Sequence, residues 1–266
     1  MQPSNTLNPL PVALKARRTT RRRPRFQPRR SRQTKQPKLD EEDQVFASLP
    51  IISDTRVALR VIREDWSEAA NQDLPRTPPL VLRSQVTALV ANKSEIHREL
   101  DAACSEGLRR IVLPGGSDCF ITPEDFEARA QHSESPVLQK FFNEVFKQNH
   151  LPWLSLSSLQ QVYAEHTDDA IDELVRNGYL TSVDEHSYNF CFPGMGMFMK
   201  NREAGAKHIL SILKRTPYKE MVLTKLQLRT LKDTCFTARW HVRDVVGSGQ
   251  AECVDTSVGV LVRLVI

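Results

Sequence analysis

The residues with the most distinctive chemistry are basic side chains that occur in closely spaced clusters near the N-terminus. Residues 1–39 contain twelve lysines and arginines and no acidic residue. Such clusters are typical of a nuclear localisation signal, and they also attract phosphate groups without reading base sequence. We predict that the signal uses six arginines, Arg17, Arg18, Arg21, Arg22, Arg23 and Arg25. A solubilising tail is one alternative. A mitochondrial presequence is another, although six prolines disfavour the amphipathic helix that it requires.

Residues that could support catalysis or bind a metal do not form a recognisable set. The five cysteines include no Cys-x-x-Cys pair, and the seven histidines include no His-x-x-x-His pair. The absence of these spacings disfavours a disulfide framework and a zinc site. The glycine pairs lack the third glycine of a Gly-x-Gly-x-x-Gly loop, and the His-Arg-Asp and Asp-Phe-Gly motifs of protein kinases are absent. We therefore predict no enzyme activity, with no catalytic residue, no metal and no cofactor.

The elements that would position any functional side chain show a repeated pattern. Gly107, Gly178 and Gly249 each lie 71 residues from the last, and apolar or small residues precede each by seven, four and three positions. That spacing predicts a helix with one buried face, which the glycine ends in a left-handed conformation. Two short strand candidates follow each glycine, and two further helix candidates precede each of these helices. Helix, helix, helix, hairpin is the order of a winged helix domain.

This repeat predicts an α+β fold with three tandem winged helix domains after a disordered arm. The arm, residues 1–39, shows almost no aliphatic periodicity and cannot bury enough apolar surface to offset its ordering entropy. We place the domains at residues 40–132, 133–199 and 200–266, with helix candidates at 203–214, 224–231 and 237–246 in the third. A single α+β domain with accidental spacing is the alternative. No apolar run approaches the roughly 20 residues that cross a bilayer, so we predict no membrane association.

The distribution of charge indicates where nucleic acid could bind. Residues 40–199 carry a net charge of −13, whereas residues 200–266 carry +6. The third helix of a winged helix domain usually enters the major groove. In the second domain this helix, residues 167–176, carries four acids, so we expect that domain to be structural or to bind protein. In the third domain the helical phase places Trp240 opposite the core, with Arg239 and Arg243 on one flank.

We predict that the third domain binds DNA through its basic side chains and this tryptophan. An ordinary solvated helix surface is the alternative. The predicted DNA-binding residues are Lys200, Arg202, Lys207, Lys214, Arg215, Lys219, Lys225, Arg229, Arg239, Trp240 and Arg243.

Five phrases in residues 79–264 resemble the serine/threonine-protein kinase 19 family. They are Pro79-Leu-Val-Leu-Arg-Ser-Gln-Val, Val137-Leu-Gln-Lys-Phe, Phe192-Pro-Gly-Met-Gly-Met-Phe-Met-Lys, Tyr218-Lys-Glu and Trp240-His-Val-Arg-Asp-Val-Val-Gly. The resemblance implies three winged helix domains, a nuclear location and DNA binding without kinase activity, so that the kinase name is a misnomer. The residues that the resemblance implies as DNA contacts are chiefly Lys200, Lys214, Arg215 and Lys219.

The resemblance also implies a scaffold role in transcription-coupled nucleotide excision repair of damaged DNA in chromatin. The implied partners are double-stranded DNA, stalled RNA polymerase II, the Cockayne syndrome repair complex and the TFIIH helicase subunit. Two other functions remain open: a protein–protein adaptor without a direct DNA role, and a serine/threonine protein kinase as the family name says. The oligomeric state also stays open, with a homodimer as one alternative.

Overall fold

The computed structural model describes residues 53–130 and 135–265. The predicted arm, the six arginines of the predicted localisation signal and the predicted boundary at residue 132 lie outside the described residues. The described residues form helices and three small antiparallel sheets, which confirms the predicted α+β class.

Within residues 53–130, which we call the first segment, the structure has five helices and one sheet. Ser53 begins its first helix, because its side chain accepts a hydrogen bond from the Arg56 N–H. The sheet has the strand order β1-β3-β2, with both neighbouring pairs antiparallel. The elements are α1 (Asp54–Glu64), α2 (Glu68–Asp73), β1 (Val81–Leu82), α3 (Arg83–Leu89), α4 (Lys93–Ser105), β2 (Arg109–Val112), β3 (Asp118–Ile121) and α5 (Pro123–Ala130).

The second segment repeats this arrangement with a shorter set of helices. Its sheet has the strand order β4-β6-β5, again antiparallel throughout. The elements are α6 (Pro136–Lys140), which continues as a π-helix (Phe141–Phe146), then β4 (Trp153–Ser155), α7 (Leu156–Tyr163), a 3₁₀ turn (Ala164–His166), α8 (Thr167–Arg176), β5 (Leu180–Ser182) and β6 (Ser187–Phe190).

The third segment begins with the longest helix of the described residues and has the strand order β7-β9-β8. This helix starts at Met195, within the residues that the sequence assigned to the second domain. The elements are α9 (Met195–Arg215), a 3₁₀ turn (Pro217–Lys219), β7 (Glu220–Val222), α10 (Leu223–Gln227), α11 (Ala238–Gly247), β8 (Ala251–Thr256) and β9 (Gly259–Leu264).

The three glycines predicted to end helices do so. Gly107, Gly178 and Gly249 have φ values of +133°, +80° and +77°, which glycine adopts without the steric cost of a Cβ atom. In each case the N–H of the following residue donates to a carbonyl in the last turn of the helix, from Leu108 to Ala103, from Tyr179 to Leu174 and from Gln250 to Val245. The same cap therefore closes α4, α8 and α11 and directs the chain into each hairpin.

One of the three apolar clusters of the described residues joins the segments to one another. The largest cluster contains the aromatic side chains of the second segment together with Ile111 and Cys119 of the first sheet, so these segments share one core. Its rings pack edge-on, with the centroids of Phe126 and Phe146 4.7 Å apart. The third segment has its own cluster, which includes Ile209, Leu213, Leu226, Val242, Val245 and Val262.

Candidate nucleic-acid interface

Helix α11, which the sequence predicted to face DNA, is covered on two sides. Thr237 caps its N-terminus by accepting the Trp240 N–H at 3.2 Å. Val242 and Val245 face the core of the third segment, as predicted. The opposite side packs against α3 of the first segment, where a Cβ atom on Gly247 would lie 1.6 Å from the Ser84 carbonyl oxygen. Helix α11 therefore lacks the open face that insertion into a major groove requires.

Polar contacts fix the same packing. The Ser84 hydroxyl donates to Asp244 Oδ1 at 2.5 Å. The Gln85 amide donates to the Trp240 carbonyl at 3.2 Å, and its oxygen accepts the Leu82 N–H at 3.2 Å. Because Gln85 and Asp244 are both buried, each of these hydrogen bonds satisfies a group that would otherwise be desolvated without compensation.

The prediction that Trp240 faces outward is wrong. Its side chain is 1% exposed and stacks on Phe236, with the ring centroids 4.3 Å apart and the planes 13° apart. The periodicity of α11 predicts one apolar face, whereas the contact with α3 buries a second face. Trp240 therefore belongs to the core that joins the first and third segments and cannot stack on a base.

Three of the predicted DNA-binding arginines are held in ion pairs. Arg202 binds Asp244 through two hydrogen bonds, from Nε at 2.7 Å and from Nη2 at 3.0 Å. Arg243 donates to Asp65 of the first segment, and Arg239 lies 3.7 Å from the same carboxylate. These arginines serve contacts between elements, so their charges are largely compensated within the molecule.

The remaining predicted residues are exposed and form a largely unpaired basic set. Lys207 makes a contact of 3.5 Å with Glu203, four residues earlier on the same helix, where such pairs contribute little. Within the described residues, no ion pair involves the other six, which are Lys200, Lys214, Arg215, Lys219, Lys225 and Arg229.

Three of these lysines form a row along the outer side of α9, which we call the outer row. Lys200, Lys207 and Lys214 are seven residues apart, close to two full turns, so they lie on one side of the helix. At 100° per residue this side is opposite the buried Phe198 and Ile209. The row is about 21 Å long at 1.5 Å per residue. Its length and charge suit contacts with several phosphates of one nucleic-acid strand.

The outer row ends at a turn that joins α9 to β7, residues 214–219, which we call the basic turn. It contains Lys214, Arg215 and Lys219, together with Tyr218, which is 88% exposed. The carboxylate that follows, Glu220, is paired with Arg263, with Nη2 and Oε2 2.8 Å apart. Tyr218 is not among the residues predicted from the sequence, although its position between basic residues and directly after a proline was a usable signal.

A second missed residue is Lys232, which is exposed in the loop between α10 and α11. Its backbone N–H donates to His208 Nδ1 at 3.1 Å. This contact brings the loop after Arg229 against the middle of α9. The loop therefore contacts α9 at His208, the residue that follows Lys207 of the outer row, and Lys232 adds one exposed cation to this segment.

The exposed surface of the second segment has the opposite charge. Asp168, Asp169 and Asp172 are exposed on α8, the helix that corresponds in order to α11. An acidic helix of this kind repels the phosphates of DNA. The structure thus places these acidic residues on the solvent-exposed side of the helix in which the sequence predicted them.

The described residues contain neither a candidate metal site nor a candidate membrane-spanning helix. In residues 53–130 and 135–265, no group of three histidine, cysteine, aspartate or glutamate side chains is placed to hold a metal ion. Among the same residues, no helix is long and apolar enough to cross a membrane.

Comparisons with known proteins match this chain to a family. The family described as "Inactive serine-threonine protein kinase 19" matches residues 42–264. The "Winged helix repair factor 1" of Homo sapiens is 32% identical over 200 residues, which cover 70% of this chain and 77% of the relative. Its namesake in Xenopus laevis is 28% identical over 199 residues, covering 70% and 75%. The "Serine/threonine-protein kinase mug51" of Schizosaccharomyces pombe is 21% identical over 219 residues, covering 74% and 70%.

Proposed function

The chain belongs to the family of inactive serine-threonine protein kinase 19, and from this premise we propose that it is a non-enzymatic, DNA-binding repair protein of the nucleus. Relatives named as winged helix repair factors support the repair role. The word "inactive" in the family description supports a function without catalysis, in agreement with the missing kinase motifs.

We further propose that the three segments are tandem winged helix domains, the third of which begins at Met195, where α9 starts. Three observations support this: the same order of helices and hairpin, the same first-third-second order of strands, and the same glycine cap before each hairpin. In the proposed role the protein is a scaffold of transcription-coupled nucleotide excision repair. Its proposed partners are double-stranded DNA, RNA polymerase II, the Cockayne syndrome repair complex and the TFIIH helicase subunit.

The observation that carries the DNA-binding proposal is the set of unpaired cations on the outer row and the basic turn. Phosphate contacts from lysine and arginine release bound counterions, so affinity falls steeply with salt and depends little on base sequence. The burial of α11 supports the same conclusion, because the helix that would read bases in the major groove is covered. We therefore expect binding through the DNA backbone rather than direct readout of bases.

Charge reversal at the basic turn tests this proposal. The triple variant K214E/R215E/K219E should weaken duplex DNA binding tenfold or more, because each of the three groups would then repel a phosphate. The slope of log K against log salt should also fall by about 1 for each lost contact, about 3 in all. Fluorescence anisotropy with labelled duplexes over a series of salt concentrations measures both quantities.

A matched control reverses three exposed cations elsewhere, in the variant R60E/K93E/R98E, which lies on α1 and α4. The net charge of the two variants is identical, so a nonspecific effect of charge would weaken both equally. Equal affinities of the two variants would overturn the assignment of the site to the basic turn, whereas selective loss in K214E/R215E/K219E supports it.

A protein–protein adaptor is the second candidate, and the acidic surface of α8 favours it. If D168K/D169K/D172K abolishes a partner interaction and leaves DNA affinity unchanged, the second segment binds protein while the third binds DNA. A kinase remains the third candidate because one relative is named as one. Binding of ATP with Mg²⁺ to the purified chain, followed calorimetrically, would support the kinase over the two other candidates.

A further inference from the structure

The basic turn presents an aromatic ring to solvent in a way that packing does not explain. Tyr218 is 88% exposed, more than any other large apolar side chain of the described residues, and Leu228 follows at 85%. An exposed tyrosine of this kind contributes almost nothing to the core of the third segment. A polar residue would serve an ordinary solvent-exposed turn better.

The backbone under this ring is also unfavourable for the residues that occupy it. Tyr218 has φ +58° and ψ 10°, and Lys219 has φ +55°. Two consecutive side chains with a Cβ atom in the left-handed region are sterically costly, and glycine or asparagine would relieve that cost. The turn is held by the hydrogen bond from the Lys219 N–H to the Thr216 carbonyl at 3.1 Å. This geometry leaves the ring exposed to solvent.

The charges around Tyr218 attract anions. Lys214, Arg215 and Lys219 have no ion pair among the described residues, and Glu220 is neutralised by Arg263. An exposed ring among free cations is the combination with which proteins bind unpaired nucleotides, because the cations contact phosphates and the ring stacks on a base. Stacking requires a base with a free face, which the interior of an intact duplex does not offer.

We propose that Tyr218 stacks on an unpaired base, so that this interface binds DNA containing a junction of duplex and single strand more tightly than blunt duplex. The inference rests on the proposed DNA-binding function and names its substrate class. The contact has little base preference, since all four bases have an aromatic face. Lys214, Arg215 and Lys219 would hold the phosphates of the nucleotides beside the stacked base.

The test uses the full chain and two labelled probes, a blunt duplex of about 20 base pairs and the same duplex with a single-stranded tail of about 10 nucleotides, long enough for one stacking site. Wild type should bind the tailed probe more tightly. Tyr218→Ala should weaken binding to the tailed probe about ten- to a hundredfold, the range expected for one base–aromatic stack, and change binding to the blunt probe less than about twofold. Tyr218→Phe keeps the ring and should retain wild-type affinity for both probes.

Leu228→Ala is the matched control, because it removes a side chain of nearly the same exposure from the same segment. It should change neither affinity. Equal weakening of both probes by Tyr218→Ala would show a contact with the duplex backbone instead, and no weakening of either would remove the residue from the interface. Both results overturn the stacking inference.

The outcomes of the two experiments are separable. If K214E/R215E/K219E leaves both affinities at the wild-type level, the proposed function at this site fails, whatever Tyr218→Ala does. If the triple variant weakens both probes and Tyr218→Ala does not discriminate between them, the site stands and the stacking inference alone is wrong.

Discussion

At the scale of single residues, the number of basic side chains says less about DNA binding than their partners do. Arg202 and Arg243 are basic residues of the predicted site, yet each is mostly buried and held by a carboxylate. Lys214 and Lys219 have no such partner within the described residues. Because a phosphate must displace any existing partner of a cation, we expect the unpaired side chains to supply most of the binding free energy.

A buried histidine provides a test of the packing between α9 and α11. His241 is fully buried; its Nε2 lies 2.9 Å from the Thr234 hydroxyl, and its Nδ1 has no hydrogen-bond partner among the described residues. Burial lowers the pKa of this imidazole to about 4; Asp244 opposes the shift and Arg202 adds to it. The ring fits because position 205 is glycine, where a Cβ atom would lie 2.0 Å from Nε2.

We therefore predict that acidification destabilises the fold through His241. The unfolded chain binds this proton with a pKa near 6.5 and the folded chain with a pKa of about 4. Between these values the unfolded state holds more protons, so the stability contribution is complete above pH 6.5 and falls as the pH drops towards 4. The expected loss between pH 7.5 and pH 5 is about 2 kcal/mol.

Urea unfolding of wild type and His241→Gln at both pH values measures this effect. Glutamine does not titrate, so the variant should lose about 2 kcal/mol less than wild type on acidification, although its absolute stability also changes. The other titrating groups are common to both proteins and cancel in this comparison. The same pH dependence in both proteins would show that His241 titrates normally and is not buried as described.

At the scale of elements, the decisive contact is the packing of α3 on α11. It connects the first segment to the third, and it converts a helix that could face DNA into one that is covered. This contact depends on Gly247, because any larger residue would place atoms against the Ser84 backbone, which cannot rotate away.

Alanine at position 247 should therefore destabilise the protein by about 1–3 kcal/mol or more, the usual cost of overpacking. Gly196→Ala is the matched control, because Gly196 lies in α9 with no atom within 4 Å of the place that the new methyl group would take, and this variant should gain about 0.5–1 kcal/mol from improved helix propensity. Thermal unfolding followed by circular dichroism compares the two variants. If Gly247→Ala were as stable as Gly196→Ala, α3 would not lie against α11.

The sequence predicts those elements whose signals are local. The glycine caps, the hairpins and the buried face of α11 follow from spacing within one turn or one hairpin, and all are present. Strands β1, β4 and β7 were missed because two or three residues cannot display a period of two. The first two turns of α9 were missed because Gly194 and Gly196 lower its helix propensity. The Trp240 carbonyl accepts a hydrogen bond from Gln85 of α3, 155 positions earlier in the chain, and no local pattern contains that contact.

At the scale of the whole molecule, charge divides the chain into three parts with different expected partners. Residues 1–39 carry +12, residues 40–199 carry −13, and residues 200–266 carry +6. The residues that bind phosphate in our proposal lie in the last part, although the first part has twice its net charge. The relative contributions of these two basic parts to DNA affinity therefore decide between two functions. One is a DNA-binding scaffold, and the other is an adaptor in which residues 1–39 serve only as a nuclear localisation signal.

Deletion of residues 1–39, alone and together with K214E/R215E/K219E, separates the two contributions. The shortened chain has a net charge of −7, so long-range attraction to DNA should fall and affinity should decrease at about 50 mM salt. It should nevertheless bind, because the outer row and the basic turn contact phosphates at short range, where their fields are least screened.

Anisotropy measurements at about 50 and 200 mM salt compare four proteins: wild type, the deletion of residues 1–39, K214E/R215E/K219E, and the two changes combined. They show whether the two basic parts contribute additively to the binding free energy. In the scaffold, we expect the two basic parts to contribute independently to log K, so the triple reversal should weaken the full and the shortened chain by the same factor. In the adaptor, the shortened chain should not bind at either salt concentration, and the triple reversal should have no effect in the full chain. The adaptor result would reassign all DNA affinity to residues 1–39, since residues 40–266, with their excess of acidic residues, would then repel DNA as a whole.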